Sequence, residues 1–450
     1  MKAKRLNIVI FSPRKLAPVL LIVVSLFCVT VPLRAQQLLT LDSAIAISLK
    51  NNYNILLAQN TGREAANSYS PGMAGMMPVV SANATYSVSA NAINEQFVNG
   101  FEINQKGVVS NTVMPYLGLN WTLFDGTRMF AAYDQLRLMR DEGMENLKGA
   151  IQDNIASVIE AYYNIVMQKQ MVSVNDSNLK VYEQEKAIAH QQYEVGMGSR
   201  LNFLQAEVSY NAQYTICLKQ KVVVDNSIIA LNQLLELPLE TEYAVSNGMD
   251  MGRELKYDSL KNMVQQQNPS LALAKTSVDV AHTNVREANA LVFPSLMLNA
   301  DYGLTRTQSN AGFVLFNQSA GLLGGGLTLS WNIFGGSVVN IKRENAKLEE
   351  MNSALQYKLE EVTVNAALME DYKLYKTNLD ILKLDEDNFK VAKENLDVAL
   401  EQFRVGTTNI VQLQQAEASY AQAGSQVVTD RYNAKVSETQ LLQLAGQLAK

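Results

Sequence analysis

Trp121-Thr122-Leu123-Phe124-Asp125-Gly126 returns 210 residues later as Trp331-Asn332-Ile333-Phe334-Gly335-Gly336. Before each hexapeptide, apolar and polar residues alternate; after it runs a long stretch nearly free of helix breakers. Each copy therefore marks a passage from strand to helix, and the chain makes that passage twice.

Other landmarks repeat around it. Leu39-Thr40-Leu41-Asp42-Ser43 matches Leu255-Lys256-Tyr257-Asp258-Ser259, and Pro78 matches Pro294, both at an offset of 216. Tyr193-Glu194-Val195-Gly196 matches Phe403-Arg404-Val405-Gly406, and Gln205-Ala206-Glu207 matches Gln415-Ala416-Glu417, both at 210. The lost six residues lie between Pro78 and Trp121, so a loop is longer in the first copy. Landmarks in one order at near-constant spacing define a duplication. The first repeat spans 36–238, a linker 239–258, and the second repeat 259–450.

Working back from the hexapeptides, Val80, Ala82, Ala84, Tyr86 and Val88 alternate with Ser81, Asn83, Thr85, Ser87 and Ser89. The partner stretch places Leu117, Leu119, Trp121 and Leu123 on one parity. In the second copy Leu296, Leu298, Ala300, Tyr302 and Leu304 alternate with Ser295, Asn299, Asp301, Gly303 and Thr305, and Leu327, Leu329, Trp331 and Ile333 alternate with Thr328, Ser330 and Asn332. Period two puts one parity on each face of a strand. Strands are expected at about 79–90, 114–124, 295–305 and 326–334, with exposed loops over 91–113 and 305–323. An ordinary half-buried sheet has this alternation too. Lengths near ~10 residues suit a tilted bilayer span, and Trp121, Phe124, Trp331 and Phe334 at the strand ends suit an interfacial girdle. Four strands cannot close a barrel, and an open edge in lipid leaves backbone groups unpaired at several kcal/mol each. Association of several copies follows from that cost; their number does not.

Forward of the hexapeptides, Ser337 to Val405 holds 69 residues without Gly or Pro. As helix that is a rod of ~100 Å. Long helices are expected at about 126–195 and 337–405, with return helices at about 201–237 and 410–448. Leu355, Leu359, Val362, Ala366 and Met369 step by four and three; Leu382, Phe389, Leu396 and Phe403 step by seven; Ile151, Ile155, Val158, Tyr162 and Ile165 follow the first pattern. This is coiled-coil spacing. Taken alone it equally suits a structural coiled-coil protein of the periplasm with no transport role, which leaves the strands unaccounted for. Gly196 and Gly406 suit left-handed helix ends. Ser199, and Thr408 or Asn409, suit the caps of the returning helices.

The first 35 residues read as a cleaved secretory leader, with Lys2, Lys4, Arg5, Arg14 and Lys15 before the apolar stretch Leu16 to Val31. The whole chain has 38 Lys and Arg against 43 Asp and Glu. The leader holds six basic residues and no acids, so without it the net charge is about −11. That balance argues against nucleic acid as a partner. Only Cys217 remains beyond the leader, so no internal disulfide forms there. No later stretch is long and apolar enough for a spanning helix.

The residues offer no enzyme chemistry. His190 and His282 lack metal-ligand spacing. Gly324-Gly325-Gly326 lacks the Lys and Ser/Thr of a phosphate loop and reads as a strand entry. Carboxylates decorate helix faces. No catalytic, cofactor or metal residue is assigned.

Doubled strand–strand–long helix–helix copies with Val-Gly turns resemble the TolC-like outer-membrane efflux family over essentially the whole chain after the leader. The resemblance implies a mainly α fold with a transmembrane β-barrel: a homotrimer with a twelve-strand barrel on a twelve-helix α-barrel. It implies an outer-membrane exit duct reaching into the periplasm, where a periplasmic adaptor protein joins it to an inner-membrane pump. Val195, Gly196, Met197, Ser199, Val405, Gly406, Thr407 and Thr408 would form the docking tip. Asn202, Gln412 and Gln415 match the positions where the family narrows its pore with acidic residues. All three are uncharged here, which implies weak block by multivalent cations unless Glu194, Glu207 or Glu417 takes over.

Overall fold

In the computed structural model, the described residues are 38–246, 248–251, 255–310 and 317–449. The proposed leader lies outside them, as does part of the second strand connection. Eight helices and six strands are present among the described residues.

The chain starts with β1 (Leu38–Leu39), α1 (Leu41–Asn51) and α2 (Tyr53–Ser68), then β2 (Val79–Gln96) and β3 (Glu102–Phe124). The rod α3 (Arg128–Glu194) and its return α4 (Arg200–Leu235) complete the first copy. After β4 (Ala244–Val245), the second copy runs α5 (Tyr257–Gln267), α6 (Pro269–Ala290), β5 (Ser295–Ser309), β6 (Asn317–Ser330), α7 (Val338–Arg404) and α8 (Ile410–Leu444). Both rods have 67 residues, so each is ~100 Å long. Among the described residues no helix is long and apolar enough to cross a membrane.

The helix before each strand pair is broken in two by a buried asparagine. Asn52 Oδ1 accepts from Asn54 N at 2.9 Å and its Nδ2 donates to the Leu234 carbonyl at 3.1 Å. Asn268 Oδ1 accepts from Leu271 N, and its Nδ2 donates to the Leu444 carbonyl, both at 3.0 Å. One side chain thus caps a new helix and ties it to the end of the return helix. The duplication extends to other polar ties. Tyr162 Oη donates to the Leu39 carbonyl at 3.0 Å and Tyr372 Oη to the Leu255 carbonyl at 3.4 Å. The linker holds β4, which pairs in parallel with β1, and Tyr162 Oη also accepts from Ser246 N there at 3.2 Å.

The four long strands form one antiparallel sheet in the order β2-β3-β5-β6. Register lines the apolar parity up across it: Ala82 opposes Leu117, Leu117 opposes Tyr302, and Tyr302 opposes Leu323. The other parity is polar, with Thr112 and Thr307 hydroxyls 3.1 Å apart. Gly303 is fixed by crowding: a Cβ there would meet Tyr116 Cβ at 2.5 Å and the Pro115 carbonyl oxygen at 2.6 Å. Within the chain β2 and β6 are the sheet's two edges.

The strands correct the sequence-based boundaries. Most of 91–113 is strand, because β2 and β3 stay paired out to Gln96 and Glu102 and turn only at 97–101. Residues 305–309 and 317–323 are strand as well, while 311–316 lie outside the described residues. Gly324-Gly325-Gly326 therefore sits mid-strand, opposite Asp301, Ala300 and Asn299, and is not an entry. At the other end β6 stops at Ser330, so Trp331, Ile333 and Phe334 follow the strand.

Two of the three coiled-coil stripes are interior. Ile155, Val158, Tyr162 and Ile165 are buried, as are Leu382, Leu396 and Phe403. The third is bare: Leu355 is 62% exposed, Leu359 57% and Val362 66%. Ile341 and Leu348 extend it toward the sheet, also exposed.

Candidate functional site

The sheet and rods meet at a duplicated junction. Trp121 Nε1 donates to the Met76 carbonyl at 2.9 Å, and Trp331 Nε1 to the Val292 carbonyl at 3.1 Å. Each indole thus pins the strand end to the segment just before Pro78 or Pro294. Two left-handed residues then aim the rod: Gly126 and Thr127 in one copy, Gly336 and Ser337 in the other. Phe124 is the last residue of β3, and Phe334 is 84% exposed beyond β6.

At the far end of the rods, both hairpin turns have one construction. Gly196 (φ 76°) and Gly406 (φ 77°) take the left-handed conformation that closes a helix. The Gln192 carbonyl accepts from Met197 N at 2.8 Å, and the Gln402 carbonyl from Thr407 N at 2.9 Å. Ser199 Oγ caps α4 by accepting from Asn202 N at 3.1 Å. In the second copy the cap is Asn409, whose Oδ1 accepts from Gln412 N at 2.9 Å. Thr408 is not the cap; its hydroxyl donates to the Gln412 side chain. Replacing Ser199 or Asn409 by alanine should cost about 1 kcal/mol each. Thr408→Ala should cost well under half of that. Amide hydrogen exchange in the first turns of α4 and α8 measures both, and equal effects at Thr408 and Asn409 would refute the assignment.

The turns present apolar side chains to solvent: Val195, Met197, Leu201, Val405 and Val411 are all exposed. The two hairpins touch just behind them. Gln192 Nε2 donates to the Phe403 carbonyl at 2.7 Å, over a packed cluster containing Ala189, Ala206, Leu396, Phe403, Ile410 and Leu413. Asn202 is half-buried, and Gln412 and Gln415 are exposed on the outer turns of α8.

The three acids named as substitutes for them have different fates. Glu194 is exposed, 3.7 Å from His190. Glu207 is 3.3 Å from Lys186 Nζ. Glu417 is buried. It adjoins a second buried acid, Glu185 of α3, which the sequence reading did not single out. Burial pushes Glu185 up to about 7, against hydrogen bonds that lower it. Burial first, then the Glu185 charge, pushes Glu417 up to about 9. One signal for this pair was present: 210 residues after Lys186 stands Leu396.

No group of three or more His, Cys, Asp or Glu among the described residues is placed to hold a metal ion. His282 Nδ1 lies 2.8 Å from Glu350 Oε1. Cys217 is buried, its Sγ directed at the Asn175 carbonyl.

The family model for the outer membrane efflux protein matches residues 44–235 and 260–447. Over 65% of its length the chain is 20% identical to the probable efflux pump outer membrane protein TtgC of Pseudomonas putida, spanning 60% of that protein. It is 21% identical to the outer membrane protein TolC of Escherichia coli, over 78% of this chain and 73% of that one. The fold matches the outer membrane channel CmeC of Campylobacter jejuni with a TM-score of 0.75 at 16% identity, covering 90% of this chain and 85% of that one.

Proposed function

The chain belongs to the outer membrane efflux protein family, whose members compared above are channels rather than enzymes, and from that premise we propose that three copies form a passive exit duct across the outer membrane and the periplasm. The observation that carries the proposal is the open sheet joined to two ~100 Å rods. Both edges need partners in lipid, and three four-stranded sheets supply a twelve-strand barrel. The exposed Leu355–Val362 stripe supplies a matching need along the rods. Trp331, Ile333 and Phe334, exposed at the junction, suit the membrane interface.

In this reading the hairpin tips dock a periplasmic adaptor through Val195, Gly196, Met197, Ser199, Val405, Gly406, Thr407 and Thr408, and the adaptor joins an inner-membrane pump that supplies the energy. Asn202, Gln412 and Gln415 line the narrow end. Amides narrow a pore without giving it charge, so multivalent cations block it weakly. Planar bilayers test this: purified protein should give steady ion-conducting steps with little block by multivalent cations. Absence of conductance would remove the duct, and strong block would remove the amide constriction.

A further inference from the structure

Glu185 and Glu417 are 0% and 2% exposed, on α3 and α8 respectively, and so bridge the two hairpins. Each lies eleven residues from its turn glycine, Gly196 or Gly406, which along a helix is ~16 Å. Gln414 Nε2 donates at 3.3 Å both to Glu185 Oε1 and to Ser209 Oγ of α4. Glu185 Oε2 and both Glu417 oxygens have no hydrogen-bond donor. Two ionised carboxylates cannot share such a dry site; a shared proton gives each carboxyl a hydrogen bond to the other.

The duplication shows what is unusual here. Glu207 holds in the first copy the place of Glu417 in the second, and it has Lys186 at 3.3 Å. The counterpart of Lys186 is Leu396, which is 2% exposed. Glu417 therefore has no counterpart of that cation and lies beside an acid of the other hairpin. The surroundings offer no replacement. From α3, Tyr182 faces both carboxyls, its hydroxyl pushed up to about 12 by burial and then by their charges. Lys186 is committed to Glu207 and lies 5.1 Å over the Tyr210 ring of α4. On α8, Tyr420 is raised by burial and by Asp397 of α7. Among the described residues no cation acts on either carboxyl.

We propose that the Glu185–Glu417 pair is a protonation latch that holds the two hairpins together near their tips and releases them when its proton is lost. Parting the hairpins exposes both acids to water, where a carboxyl loses its proton in the ordinary acidic range. The closed state therefore binds more protons than the parted state above that range. Rising pH favours parting until the buried pair is itself ionised. The latch concerns contacts within one chain, and only its effect on conduction rests on the duct reading.

The test is the distance between spin labels at Met197→Cys and Thr407→Cys, in a Cys217→Ser background, with labelled chains diluted among unlabelled ones. From pH 5.5 to 8.5 the ratio of separated to closed tips should rise about tenfold per pH unit for each proton released, until the buried pair itself ionises. In the Glu185→Gln/Glu417→Gln double variant, which keeps no titrating acid at the site, it should change less than about twofold. Either single glutamine variant keeps one buried acid and should give a shallower rise than the unsubstituted pair. A pH-independent distance in the unsubstituted pair, or an unchanged profile in the double variant, would overturn the latch. Conductance recorded on the same samples separates the two ideas. Tips that part without a change in current keep the latch and remove its role in a duct.

Discussion

Gly126→Val is expected to prevent assembly almost completely. Gly126 has φ 72°, and a Cβ there would lie 2.4 Å from the Ala290 carbonyl oxygen and 2.7 Å from Phe293 Cβ. The left-handed conformation alone costs a side chain roughly 1–2 kcal/mol. The clash adds more, because the obstacle is backbone at the end of α6 and cannot rotate away. A total of about 4 kcal/mol is a large part of a typical domain's stability. Gly336 is the internal control. It has φ 63°, but a Cβ there meets nothing within 4 Å, so Gly336→Ala should cost only about 1–2 kcal/mol. Denaturant unfolding in detergent, with the yield of folded oligomer, measures both. Equal tolerance at the two positions would show that the close packing of α6 against the first junction is wrong.

The second large effect concerns assembly without folding. Leu355 and Val362 are 62% and 66% exposed in the single chain, so Leu355→Asp with Val362→Asp should leave each chain's helix content unchanged. If a neighbouring copy covers the stripe, each lost side chain removes about 2 kcal/mol of burial. Together that is about 4 kcal/mol, or roughly a thousandfold in association per interface. Circular dichroism should stay constant while the oligomer disappears from size-exclusion profiles. An intact oligomer would place the stripe on an outer or luminal face.

The chain's fold was legible in its repeats because both copies obey the same physics. Rod lengths follow from where Gly and Pro are absent, and the turns from Gly196 and Gly406. The strand ends were less legible. Residues 91–96 and 102–113 include Asn, Glu, Gln and Lys, which read as loop, yet pairing between neighbours keeps them extended. The helix break at Asn52 escaped notice because an asparagine within a polar stretch looks solvated; its bonds to Asn54 N and to Leu234 O show the reason for it. At the tips, Ser199 and Asn409 were readable as caps from their chemistry, whereas the choice between Thr408 and Asn409 needed the geometry. The buried acid pair was hidden for a different reason. Sequence spacing shows which helix an acid is on but not which face the other hairpin covers, and only the Lys186-to-Leu396 change hinted at it.

The most direct measurement is the mass of the detergent-solubilised particle together with its projection image. Three chains in one tube are expected, with an axial channel and a length well over ~100 Å set by the stacked rods and sheet. A compact particle of one chain, with no channel along its axis, would contradict that assembly.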